Sequence, residues 1–255
     1  MTVSTPDPAW ERRHPEGPET WSFDFVAPDG GLGGFVALTL WTAPRRAWYW
    51  AALVGRGRPY LLVRDLELAA PRSPASREIR GEGIWADVNC ETPHDHWSLG
   101  LEAFGVSLDD PDEALGAERG DRTGLGLDLE WEADGPVVGD QAGYGQPCAV
   151  HGEILAGGGG GPVETIAFEG AGWRRHASGA GVDWAGPRWR LDGHLDDGGA
   201  HTAEGTGPAG VAVLQRAPLR LDGAVLERSL CRFRPPGAAL GLGWSEHVHP
   251  AVPST

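Results

Sequence analysis

The chain of 255 residues contains no lysine: all 21 basic residues are arginine, against 36 Asp and Glu, for a formal charge of −15. Without lysine there is no Schiff base, no pyridoxal phosphate anchor and no P-loop amine, so those enzyme classes are excluded. The acidic balance, with a pI of about 4.9, argues against nucleic acid and anionic membranes as partners. Cysteine is scarce too. Cys90, Cys148 and Cys231 lie far apart with no C-x-x-C spacing, which fits neither a disulfide framework nor a cysteine zinc site and suits a reducing compartment. No apolar run approaches the ~20 residues of a membrane span, and no charged segment followed by an apolar one opens the chain. The expectation is a cytoplasmic protein that does not insert into membranes.

What is abundant is glycine (40), proline (21) and tryptophan (12), with 40% hydrophobic residues overall. That composition suits a chain that turns often around a core, not a disordered or collagen-like one. The dominant period is two. Trp21, Phe23 and Phe25 alternate with Ser22 and Asp24, and Leu125, Leu127, Leu129 and Trp131 alternate with Gly124, Gly126, Asp128 and Glu130, the pattern of half-buried strands. Residues 35–41, 46–54 and 60–66 are continuous aromatic and aliphatic runs joined by short turns, as in an antiparallel meander. A helix is expected only over 110–116, where Asp caps, Pro takes the first position and Gly stops. The sequence therefore predicts an all-β antiparallel protein with very little helix. Its expected division is a surface segment (1–19), a β domain (20–135), a joint near Asp134–Gly139, a second β domain (140–234) and a Pro-rich tail (235–255).

The densest chemistry lies between Trp85 and Trp97, where Asp87, Asn89, Glu91, His94, Asp95 and His96 interleave with aromatic residues. Aromatic walls desolvate a carboxyl and raise its pKa, as a proton donor to a double bond requires. Asp87, Glu91, His94 and Asp95 are the catalytic candidates, with Trp85, His96 and Trp97 as substrate contacts; the alternative is a corner between two strands with both tryptophans in the core. A cupin-type metal site on His94, His96 and Glu102 fails on spacing and has no second motif, so neither metal nor cofactor is expected. His247 and His249 fall in the Pro-rich tail and read as solvated. In the segment from Gly170 to Gly179, Arg174 and His176 share one face of an extended chain while Arg175 points to the other. They either converge on a ligand oxygen or form buried salt bridges, with Asp183 or Glu153 as partners.

The order Gly143-Tyr144-Gly145-Gln146, then Gly152-Glu153-Ile154, then Gly172-Trp173-Arg174-Arg175-His176 with Ser178, Gly179, Asp183 and Trp184 behind resembles the carotenoid 1,2-hydratase and AttH-like group. The resemblance covers roughly Trp21 to Leu230 and departs from the group at Arg175 and beside Ser178. It implies two lipocalin-like (calycin) β-barrels or sandwiches packed together and a hydrophobic small-molecule ligand of terpenoid, polyene or polyketide type. It also implies that Tyr144, Gln146, Trp173, Arg174, His176, Asp183 and Trp184 contact substrate. The group includes hydratases and cofactor-free cyclases, among them Diels-Alder catalysts. Three readings follow: a cofactor-free lyase or isomerase, a non-catalytic carrier or sensor of a hydrophobic ligand, and a metal-dependent barrel enzyme using His94 and His96.

Overall fold

In the computed structural model, which describes residues 6–14, 17–157, 162–179, 188–205 and 210–250, the apolar runs become strands of two antiparallel sheets. The meander forms β1 (Glu19–Val26), β2 (Leu32–Trp41), β3 (Arg46–Gly55) and β4 (Tyr60–Leu68). Then come β5 (Ile79–Gly81), β6 (Ile84–Thr92), β7 (His96–Leu108), β8 (Asp121–Ala133), β9 (Val138–Asp140), β10 (Gly143–Ala156) and β11 (Glu164–Ser178). Their order is β4-β3-β2-β1-β11-β10-β8-β7, and β7 returns to β4 with Tyr60 opposite Leu108, so these strands close into a barrel. The β5–β6 hairpin lies beside β7, and β9 beside β10.

The second sheet holds β12 (Arg188–Leu195), β13 (Ala200–Gly205), β14 (Val211–Arg216), β15 (Leu219–Leu221), β16 (Ala224–Phe233) and β17 (Gly241–Pro250). It runs β13-β12-β17-β16-β14, with β15 on β16. The helical segments bounded within the described residues are 3-10 turns at Pro8–Glu11 and Pro111–Leu115, the latter where Asp110 was expected to cap. No helix among them is long and apolar enough to cross a membrane.

Periodicity maps onto how many faces of each strand are covered. The inward side of the barrel is filled by Trp21, Phe23, Phe25, Leu38, Tyr49, Trp97, Trp131 and Phe168. Outward-facing Phe35, Trp48, Trp50 and Tyr60 pack instead against Leu219, Leu226, Leu230 and Trp244 of the second sheet. Strands β2 and β3 are buried on both faces, which is why they read as unbroken apolar runs, whereas β7 and β8 meet solvent on one face and alternate.

Two expected boundaries move. β10 and β11 belong to the barrel, so the passage between sheets comes after Ser178 and not at 135–140; β8 needs β10 as its second neighbour to complete the hydrogen-bonded ring. Residues 241–250, expected as a solvated tail, are β17, paired on both sides by β12 and β16. Nor is the N-terminal segment merely surface, because Glu11 is 3% exposed.

Gly172 shows why glycine precedes Arg174. A Cβ there would sit 2.0 Å from the Asp24 carbonyl oxygen on β1 and 3.0 Å from the Trp131 Nε1 that donates to that oxygen. Both are fixed by pairing and packing, so Gly172→Ala should destabilise by about 1–3 kcal/mol. The control is Gly124→Ala, where an added Cβ meets nothing within 4 Å. Equal urea midpoints for the two variants would refute the close-approach explanation.

Candidate functional site

Two polar clusters interrupt this apolar architecture, one at an end of the barrel and one between the sheets. At the barrel end, β11 points Arg174 and His176 inward and Trp173 and Arg175 outward, as the alternation required. Arg174 Nη2 lies 2.8 Å from Glu11 Oε1 and donates to Gln146 Oε1 on β10. Gln146 Nε2 in turn donates to the carbonyls of His94 and Gly135, each at 3.0 Å. Glu11 also accepts from the Tyr144 hydroxyl and, at 3.0 Å, from the His94 backbone N–H. Burial alone would raise the Glu11 carboxyl, but Arg174, Tyr144 and His94 together hold it below the usual range. The 3-10 turn Pro8–Glu11 thus inserts its last residue into the barrel end as a plug, with Trp10 against His94 and Tyr144.

Beside this ion pair, His176 Nε2 contacts Glu19 Oε1 at 2.7 Å, and His14 Nδ1 contacts the same oxygen at 2.9 Å. The His176 ring stacks on Trp21 with centroids 5.0 Å apart. Arg77 lies over Trp21 and Trp97 at 4.8 and 5.0 Å and donates to the Glu11 carbonyl.

The structure therefore brings together His94, Trp97, Tyr144, Gln146, Arg174 and His176. It does not bring in the expected acids. In β6 the inward residues are Ile84, Ala86 and Val88, so Trp85 and Asp87 point to the outer face, where Asp87 bonds Asn89 and Trp85 bonds Glu78. Glu91 is exposed and accepts from Ser98, and Asp95 is exposed in the turn before β7. His96 turns outward to Glu130 at 2.6 Å while His94, with φ of 59°, turns toward Glu11; the two imidazoles do not converge, and this removes the His94/His96 metal reading. Trp173 faces the second sheet and donates to the Gly193 carbonyl. Asp183 and Trp184 lie outside the described residues. Of the anticipated salt-bridge partners, Glu153 is exposed on β10, and Glu11 and Asp192 take the arginines instead.

Between the sheets, a cleft of ≈ 160 Å³ is lined by Ser22, Trp50, Arg175, Arg190, Arg228 and Glu246, among others. Arg175 grips Asp192 in a two-point fork, with Nε 2.6 Å from Oδ2. Arg190 bridges Asp192 at 3.1 Å and Glu246 at 3.3 Å. Arg228 lies 3.6 Å from Glu246 and 3.4 Å from Asp24 Oδ2, and Asp24 Oδ1 accepts from the Trp173 N–H at 2.9 Å. Two carboxyls in this one network are driven apart. Burial pushes Asp24 up to about 7, against the pull of Arg228 and with the help of Asp192. Glu246 is buried too, but Arg190, Arg228 and Arg188 outweigh that and hold it at about 2. Asp24 is not among the residues that line the cleft, and the arginines that do line it already hold carboxylates: Asp192 for Arg175 and Arg190, Glu246 for Arg190 and Arg228, and Asp24 for Arg228.

Sequence reasoning missed Glu11, Glu19, Asp24, Arg190, Asp192, Arg228 and Glu246. The available signal was Asp24 within the Trp21-Ser22-Phe23-Asp24-Phe25 alternation, beside strands whose unbroken runs already meant that both faces are covered.

The comparisons with known proteins agree with this architecture. Residues 7–210 match the family described as "Domain of unknown function (DUF7064)". No curated protein matches the sequence. Among solved structures, AttH from Nitrosomonas europaea superposes with a TM-score of 0.60 at 14% identity, over 98% of this chain and 99% of that one. CghA, solved with Sch210972, gives a TM-score of 0.51 at 10% identity over 93% and 89% of the two chains. Kievitone hydratase from Nectria haematococca gives 0.50 at 10% identity over 97% and 94%. At these identities the likeness is one of fold, and the fold is the AttH-like, lipocalin-like type.

Proposed function

Because the chain belongs to the DUF7064 family, which carries no activity to inherit, we propose a function from its own geometry: a cofactor-free lyase or isomerase, of the hydratase or cyclase kind, working on a small molecule in the cleft between the sheets. Asp24, 7% exposed and outside the lining of the cleft, meets that lining through Arg228 at 3.4 Å and is the proposed proton donor. The arginines at 175, 190 and 228 stabilise negative charge that develops on a substrate oxygen, and Trp50 supplies the wall for an apolar body. The observation that carries this reading is the buried Asp24 carboxyl, raised to about 7 and set against Arg228 at 3.4 Å. Proton transfer by a positioned acid of that pKa is worth typically 10²–10⁴-fold in rate. The names of two fold relatives, a hydratase and a protein solved with a small molecule, support the same direction.

The expected ligand is lipophilic with an oxyanion, carboxylate or enol group that takes a share of arginines already paired with Asp192, Glu246 and Asp24. Native mass spectrometry of gently purified protein, with extraction of what is bound, should identify it. With that molecule in hand, Asp24→Asn is expected to lower turnover on the order of 10²-fold or more while binding changes less. Turnover equal to that of the unsubstituted protein would overturn the assignment of Asp24. A ligand that binds tightly and is recovered unchanged after long incubation would make the protein a carrier.

A further inference from the structure

We propose that His14, Glu19 and His176 form a binding site for one divalent first-row transition metal ion, which would fasten the N-terminal segment across the barrel end. His14 Nδ1, Glu19 Oε1 and His176 Nε2 all lie within 4.8 Å of one another. The three come from separate pieces of chain: the segment after the 3-10 turn, the first residue of β1, and β11. Their convergence is thus a tertiary event, whereas sequence neighbours such as His94 and His96 point apart.

Hydrogen bonding alone accounts poorly for the arrangement. Glu19 Oε1 faces three donors, namely His176 Nε2 at 2.7 Å, His14 Nδ1 at 2.9 Å and the His14 backbone N–H at 3.1 Å. A carboxylate oxygen has two lone-pair directions to offer. Glu19 Oε2 meanwhile accepts the same backbone N–H at 2.9 Å, so the carboxylate stays anchored if Oε1 turns to a cation. Two imidazoles and one carboxylate are a donor set suited to Zn²⁺, Fe²⁺ or Co²⁺ and too nitrogen-rich for Mg²⁺ or Ca²⁺. Bonds near 2.0–2.1 Å in a tetrahedral site put ligand atoms about 3.3–3.4 Å apart, so the His176–Glu19 and His14–Glu19 contacts of 2.7 and 2.9 Å open by about half an ångström when the ion enters.

The surroundings are preorganised as well. Glu19 and His176 are each 1% exposed in their side chains, while His14 is 24% exposed. The site is therefore closed on the barrel side and open on one flank, where an ion enters and a fourth ligand sits. The His176 ring is held between Trp21 at 5.0 Å and His14 at 5.7 Å. Ion uptake places the His176 proton on Nδ1, which has no partner among the described residues, and the His14 proton on Nε2.

The test uses full-length protein with any affinity tag removed, stripped with chelator and titrated with Co²⁺ and Zn²⁺. The expected result is one ion per chain, with Co²⁺ absorption bands of a low-coordinate nitrogen and oxygen site, displaced by Zn²⁺. His14→Ala, at the most exposed of the three positions and so compatible with folding, should weaken Co²⁺ binding at least 100-fold. Asp24→Asn should leave it unchanged, which separates this test from that of the catalytic reading. A second group, Glu227, His247 and His249, lies on the second sheet, so His249→Ala is the control. Absence of stoichiometric binding, retention of binding in His14→Ala, or its loss in His249→Ala would each overturn the proposal.

Discussion

Replacing Glu11 with alanine is expected to cost about 3–5 kcal/mol of stability, because it leaves the Arg174 guanidinium buried without its carboxylate. Arg174 is 2% exposed and its remaining side-chain acceptor is Gln146. A neutral amide replaces a charge-assisted partner poorly. Glu11 also serves Tyr144 and the His94 backbone N–H, so the deletion orphans groups on the turn before β7 and on β10 as well. Water reaching Arg174 through a detached N-terminal segment would reduce the cost, and this gives the experiment a second reading. Limited proteolysis near residues 6–14 should accelerate in Glu11→Ala in step with the fall in urea midpoint. A double variant, Glu11→Leu with Arg174→Met, should recover much of the loss, since it removes both charges and keeps apolar volume. A loss below about 1 kcal/mol in Glu11→Ala, with unchanged proteolysis, would mean that the plug is held by Trp10 packing and not by the ion pair.

The second large effect is a pH dependence with two limbs of opposite sign. Asp24 has its folded pKa raised from 3.8 to about 7, so the folded state binds a proton that the unfolded chain has released. Its contribution is fully present below about pH 4 and is lost as pH rises through 7, which amounts to about 4 kcal/mol. Glu246 is the reverse case. Its folded pKa falls from 4.5 to about 2, so its contribution of about 3 kcal/mol is present above pH 4.5 and is lost as pH falls toward 2. Glu11 and Asp192, both held low by arginines, add to this acid limb. Measured by urea unfolding, the difference in stability between Asp24→Asn and the unsubstituted protein should rise in favour of the variant between pH 4 and pH 7, then level off. A difference that stays flat across that range would show that Asp24 is ionised throughout, and the proton-donor role would fall with it.

Strand content, antiparallel pairing and the near absence of helix follow from local rules, and the sequence by itself determined them. Period-two patterning, turn residues and the Asp110-Pro111 start act over a few residues, so they can be read without knowing what packs on what. The same holds for the split of β11 into an inward Arg174 and His176 and an outward Trp173 and Arg175, since a strand alternates whatever surrounds it. The unbroken runs 35–41 and 46–54 read only as a meander, although strands with no polar alternation are ones covered on both faces. What alternation leaves open is the environment of each face. Asp87 and Asp24 sit on similar alternating strands, yet Asp87 faces outward on β6 and Asp24 faces the second sheet, and only the sheet packing gives one a raised pKa and the other an ordinary outer-face position. The partners of Arg174 and His176 were illegible for a related reason. Glu11 is 163 residues from Arg174 and Glu19 is 157 from His176, and no local pattern marks two acids in a Pro-rich leader as the residues that will be buried. Tertiary structure alone decided that, because desolvating an arginine and a histidine at the barrel end demands carboxylates, and the N-terminal segment was the piece of chain positioned to supply them.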